Sequence, residues 1–316
     1  MAAIAPPATT GAPAPRGPLP LTPGRITALV IGVPVALGLV ALTAFSLLAP
    51  FAGGRYHVSY TAPVNAKSLT VNSNGGQLSV EPTSADRVTL NGTARYSFIR
   101  STFTAKTTGG DTAMNYHCAP LPSSNCGLDA TIGVPAGLPV NVSTDGGNVS
   151  VTRIGAPVTL HSAGGDLSAD HVTGPVNLST DGGNIRLNAI TAPVSASTDG
   201  GDIDLADVGS HTVTIHTSGG NIRASGITSQ NVIASTDGGD IDIVFTAVPT
   251  KVDVGTSGGN VTLVLPPVAV EYDVNAHTDG GNVADTLLRN SSSDYKITAS
   301  TGGGNITLRE GSSIQQ

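Results

Sequence analysis

One phrase recurs nine times between Val140 and the C-terminus: a β-branched residue, a Thr or Ser four positions on, Gly-Gly, then Asn or Asp, then an aliphatic. The opening column reads Val140, Val158, Val176, Val194, Val213, Val232, Val252, Val274 and Ile297, at spacings of 18, 18, 18, 19, 19, 20, 22 and 23 residues. Units this short cannot bury a hydrophobic face alone, so each must stack on its neighbours, and such a period marks a solenoid. In residues 176–193, alternation puts Val176, Leu178 and Thr180 on one face, and Ile185 and Leu187 resume it past the glycines. Two strands therefore flank one corner. The pairs Gly146-Gly147, Gly164-Gly165, Gly182-Gly183, Gly200-Gly201, Gly219-Gly220, Gly238-Gly239, Gly258-Gly259, Gly280-Gly281 and Gly303-Gly304 mark it. A reversal in so few residues is expected to need positive φ there. Pro157, Pro175 and Pro193 punctuate a second corner.

A meander of hairpins on Asp-Gly turns is the rival arrangement. Parallel stacking is preferred because every column keeps its residue class from unit to unit. The expected fold is all-β, a parallel β-solenoid (β-helix) with one N-terminal transmembrane helix. Right-handed coiling is the default, and a three-sided left-handed coil also suits 18-residue units. Composition agrees: Gly 40, Pro 21, 3% aromatic residues and no Trp describe many turns and a narrow aliphatic core.

Four regions are expected. Residues 1–25, rich in Pro and Ala, read as a disordered tail. Residues 26–51 carry no charge and, as a helix, would span roughly 39 Å at 1.5 Å per residue, enough for a bilayer. A cleaved signal peptide is the competing reading, but the apolar run exceeds the usual h-region and no small-x-small site ends it. Pro34 is expected to kink the helix. Residues 52–139 form an N-terminal β region with a cysteine-containing loop, expected to project between about residues 98 and 128. Residues 140–316 are the regular repeats. Arg16 and Arg25 before the apolar run give some support to a cytoplasmic N-terminus, which puts the repeats outside the cytoplasm on a single-pass membrane protein. In that compartment Cys118 and Cys126, the only cysteines, are expected to close a disulfide.

The formal charge is -7, and the residues after position 54 carry 13 basic against 22 acidic groups, which disfavours nucleic acid as a partner. Asn148, Asp166, Asn184, Asp202, Asn221, Asp240, Asn260, Asn282 and Asn305 follow the glycines, so no two aspartates are neighbours. An amide between two carboxylates is expected to donate to both. Arg186, Asp204, Arg223 and Asp242 alternate in sign, which suits register selection. The Thr column, from Thr144 to Thr301, is expected to bond the corner backbone and not to act as nucleophile, because no His and acid recur beside it. The corner acids Asp145, Asp166, Asp181, Asp199, Asp202, Asp237, Asp240 and Asp279 suggest calcium, but Asp and Asn favour turns and TDGGN lacks the spacing of calcium-binding solenoids. His161, His216 and His277 share a column but fall too far apart for one ion. No cofactor or metal is expected.

The segments LDATIGVPAGLPVNVSTDGGNVSV and VTLVLPPVAVEYDVNAHTDGGNV join an aliphatic strand, a Pro-containing break, a second strand and Thr-x-Gly-Gly-x-aliphatic. On that pattern, roughly residues 57–310 resemble the bacterial putative-adhesin family, a β-strand-repeat domain of unknown function. The resemblance implies a β-solenoid in membrane-attached or exported proteins and supplies no catalytic residues. With no catalytic constellation in view, the expected function is that of a non-enzymatic, membrane-anchored adhesin or envelope structural protein. Its expected partners are the membrane through residues 26–51 and cell-surface or envelope polymers or proteins. An accessory sensor of envelope state is the alternative. The polar end ITLREGSSIQQ, with Arg309 and Glu310, is expected to close the solenoid against end-to-end strand addition.

Overall fold

The computed structural model describes residues 31–48, 53–97, 99–119 and 126–311. The chain divides into two units, Met1–Leu48 and Ala49–Gln316. In the first, the helix Val33–Leu48 has 16 residues and no charge. A π turn at residues 31–32 leads into it, just ahead of Pro34. Among the described residues no helix is long and apolar enough to cross a membrane. Parts of the expected 26–51 span, and the whole 1–25 tail, lie outside the described residues.

The second unit is all-β, built from a 13-stranded and a 12-stranded sheet that are mostly parallel. Each regular coil gives one strand to each sheet. Val140–Thr144 belongs to the 12-stranded sheet and Asn148–Thr152 to the other, with the glycine corner between them. Register follows the repeat: Val158 pairs Val140 and Val176, and Ile185 pairs Leu167 and Ile203. Inward positions alternate strictly along these strands, and Val142, Leu160, Leu178, Ile185 and Leu187 are fully buried. A third, shorter side closes each coil. Ile154, Val172, Ile190 and Val208 are buried there, and Thr173 N donates to Ile154 O (3.0 Å) and Gly209 N to Ile190 O (2.9 Å). The exposed prolines stand at the step into the next strand, where Pro157 O accepts from Val140 N (3.0 Å) and Pro175 O from Val158 N (2.9 Å).

Chain order and stacking order part company at both ends. The strands Lys296–Thr301 and Ile306–Glu310 lie between residues 251–265 and residues 273–285. Arg309 and Glu310 therefore do not close the solenoid, as the sequence suggested. The last coil in space is residues 273–285, where Val274 and Ala276 are only half buried and Val283 is exposed. At the other end Ser68–Ser73 pairs with Val140–Thr144 on one side and Asp111–His117 on the other.

The expected projecting loop is mostly strand. Thr102–Thr108 and Asp111–His117 make an antiparallel hairpin across Gly109 and Gly110, both at positive φ (65° and 103°). That is the two-residue turn geometry that matches strand twist. Gly127–Val134 joins the larger sheet beside Gln77–Pro82, and Thr89–Ser97 and Gly53–Thr61 extend it antiparallel. Cys118 and Cys126 are disulfide-bonded, and residues 120–125 of the intervening loop lie outside the described residues.

Candidate binding face

The glycine corner is built by close approach of backbones, which corrects the expectation of positive φ. Among the described residues, left-handed backbone falls on none of the paired repeat glycines. In each pair the second glycine lies against the coil before it. A Cβ on Gly183 would stand 2.1 Å from Gly165 O, and on Gly201 1.9 Å from Gly183 O. At the first glycine it would meet nothing within 4 Å at Gly146 and Gly164, and only Gly164 Cα at 4.0 Å at Gly182. In the repeats the left-handed positions lie elsewhere, at the end of the second strand in five successive coils: Arg153, His171, Ala189 and Asp207 at φ 52–53°, then Gly226 at 67°.

Beside this corner the Thr column does what its parity implies. Thr180 Oγ1 donates to Gly165 O (3.0 Å) and accepts from Gly183 N (3.2 Å), and Thr198 repeats both bonds one coil on. These hydroxyls are buried and engaged as donor and acceptor, binding each coil to the one before. The next column is a ladder of a different kind from the one expected. Asp166 Oδ1 accepts the backbone N–H of Asn184 (2.8 Å), and Asn184 Oδ1 accepts that of Asp202 (2.9 Å). The amide donates to one aspartate only, as Asn184 Nδ2 to Asp166 (3.3 Å) and Asn221 Nδ2 to Asp202 (3.2 Å).

The outer face of the larger sheet carries a groove of about 640 Å³ that crosses five coils. Outward residues two apart on each strand form its two ridges. One is Ser168, Arg186, Asp204, Arg223 and Asp242, and the other is Asp170, Asn188, Ala206, Ser225 and Val244. Arg186 pairs with Asp204 (3.3 Å), as the sign alternation suggested, but Arg223 turns to the corner and pairs with Asp202 (3.3 Å). Asp242 has no cationic partner among the described residues. Bonds from the Asn221 backbone and then Arg223 hold the Asp202 carboxyl below its ordinary pKa. Asp170 is lowered by Asn188 (2.6 Å) and then His171 (2.8 Å). A second groove of about 330 Å³ adjoins the first across Ser168 and Arg186.

The histidine column lies on the other sheet, where His161 and His216 each meet a serine of the next coil at 2.9 Å and His277 meets Asp279 at 3.0 Å. Among the described residues no group of three or more His, Cys, Asp and Glu is gathered as a metal site would be. The groove is not legible in the sequence, because it needs the outward parity of the second strand over five coils. The alternating Arg and Asp column was its one visible trace.

Fold and surface together define a two-sheet parallel β-solenoid with an outward groove on one sheet. The model of the Toastrack DUF4097 family matches residues 101–309, and the chain belongs to that family. Two solved structures are similar. One, titled a putative cell adhesion protein from Clostridium sporogenes, is 11% identical, covers 82% of this chain and 100% of its own, and has a TM-score of 0.25. The other, titled a putative adhesin from Bacteroides fragilis, is 14% identical, covers 80% and 97%, and has a TM-score of 0.38. No curated protein matches the chain.

Proposed function

We propose that this protein is a membrane-anchored, extracytoplasmic binding protein that acts in adhesion or envelope structure through the outer face of its larger sheet. The observation that carries the reading is the groove across five coils. Its length suits an extended chain laid along the stack, and its two ridges offer Arg, Asp, Asn and Ser to a polar polymer. Parallel coils stack at about 4.8 Å, so the same contact can repeat from coil to coil. The charge-free run of residues 26–51 supports the anchor, and the disulfide supports an oxidising compartment. The engagement of the Thr hydroxyls with backbone supports binding over catalysis.

The test is direct binding of the strand-bearing unit, residues 49–316, to whole cells, isolated wall polymers and extracellular matrix. Saturable binding to one of them, lost in an Arg186→Glu, Arg223→Glu variant that remains folded, is the expected result. Failure to bind all three overturns the proposal.

A further inference from the structure

Charge is divided unevenly along the strand-bearing unit. Residues 53–100 hold five basic side chains, Arg55, Lys67, Arg87, Arg95 and Arg100, against two acids, Glu81 and Asp86. The rest of the unit, from position 101, has eight basic and twenty acidic residues. Two of the five cations are placed where electrostatics alone would separate them. Gly53–Thr61 runs antiparallel to Thr89–Ser97 in a register that puts Arg55 directly opposite Arg95. Like charges facing each other across an antiparallel pair are destabilising.

The acid nearby does not balance this. Asp129 Oδ1 accepts from Arg95 (2.9 Å) and also from the backbone N–H of Gln77 (3.1 Å), so one oxygen serves two donors. The side chains of Arg55 and His57, two apart on the same outward face, have no hydrogen bond or ion pair among the described residues. The same is true of the Thr93 hydroxyl and the Asn91 side chain. Nε of Arg95 is buried with no partner. These groups line one groove of about 490 Å³, at the opposite end of the sheet from the strands of the last coil.

We infer that this groove is an oxyanion site, taking a phosphate group between Arg55, His57 and Arg95. Each of its unbonded side chains can donate, and the Oδ1 of its one carboxylate is held by Arg95 and the Gln77 backbone. A guanidinium presents paired N–H groups that match phosphate oxygens, while Thr93 and Asn91 supply neutral donors in the same lining. A bound dianion would also remove the repulsion between the two facing arginines. The phosphate can belong to a lipid headgroup or to a dissolved phosphate ester, since both present the same oxygens.

Titration of the full chain in an uncharged detergent with inorganic phosphate, followed by ³¹P line broadening at constant ionic strength, tests this. Saturable binding is expected, weakened at least tenfold in Arg55→Gln and changed less than twofold in Arg309→Gln, an exposed arginine that lines neither this groove nor the one on the regular coils. Far-UV circular dichroism of Arg55→Gln should match that of the parent. Adding vesicles of phosphatidylglycerol or of uncharged digalactosyldiacylglycerol then identifies the source. Competition by the first alone assigns the site to headgroups, and competition by neither assigns it to dissolved esters. Absence of saturable binding, or equal binding by Arg55→Gln, overturns the inference.

Discussion

Gly182 and Gly183 are adjacent in sequence and equally small, yet the structure separates them sharply. A Cβ on Gly183 would lie 2.1 Å from Gly165 O and 2.4 Å from its carbonyl carbon. A methyl carbon needs more than 3 Å from either, so the coils would have to part by about 1 Å at this corner. The bonds crossing that gap are Thr180 Oγ1 to Gly165 O (3.0 Å), Asp181 N to Ser162 O (3.2 Å) and Asn184 N to Asp166 Oδ1 (2.8 Å). Losing two of them, with one buried group left unsatisfied, costs about 3–5 kcal/mol. At Gly182 the added methyl meets only Gly164 Cα at 4.0 Å, and Gly182→Ala is expected to lie within about 0.5 kcal/mol of the parent. Urea denaturation of the two variants followed by far-UV circular dichroism measures the difference. Equal stability of Gly182→Ala and Gly183→Ala would refute close approach as the reason for the second glycine.

Three further outcomes follow from particular residues. Ala189 holds a left-handed backbone at φ 52°, a conformation costing a residue with a Cβ about 1 kcal/mol, so Ala189→Gly should raise stability by about that much in the same assay. Asp202 and Asp170 have folded pKa values below their ordinary ones, so their stabilisation is complete above about pH 4 and is lost as pH falls through the depressed folded values. The melting temperature should therefore drop as the pH is lowered below about 4, and Asp202→Asn should flatten that drop. Reduction of Cys118–Cys126, which are 8 residues apart, should cost about 2.5 kcal/mol in chain entropy, read as a lower urea midpoint with dithiothreitol.

The middle of the fold was legible because parallel coils in register reward the same side chain at each level. Val158, Val176 and Val194 pair directly, and the column read from sequence is the column in space. The Thr role was legible for the same reason. The glycines are legible as corners but their cause is not, since positive φ and close backbone approach both select the residue without a Cβ. The left-handed column was invisible, because Arg153, His171, Ala189, Asp207 and Gly226 share no side-chain property. The reversed order of the last two coils left little trace, because residues 278–282 and 301–305 both end in Gly-Gly-Asn and fit either level. Lengthening of the spacing to 22 and 23 was the sign that the chain must pass a coil and return. The hairpin at Gly109-Gly110 is masked by the break in the repeat around the cysteines, although Thr102–Thr108 and Asp111–His117 both alternate like strands.

The central claim is that coils stack in parallel register, in the order the pairing gives and not simply in chain order. Asp253, Thr298 and Asn275 share one outward column, with Thr298 between the other two. Neighbouring parallel strands place such Cα atoms about 4.8 Å apart, within reach of a disulfide, and strands two levels apart place them at roughly twice that, beyond the limit of about 7 Å. Oxidation of the paired-cysteine variant Asp253→Cys, Thr298→Cys should give an intramolecular cross-link, seen by mass spectrometry of its digest, and Asp253→Cys, Asn275→Cys should give none. Cross-linking of the second pair and not the first would contradict the account.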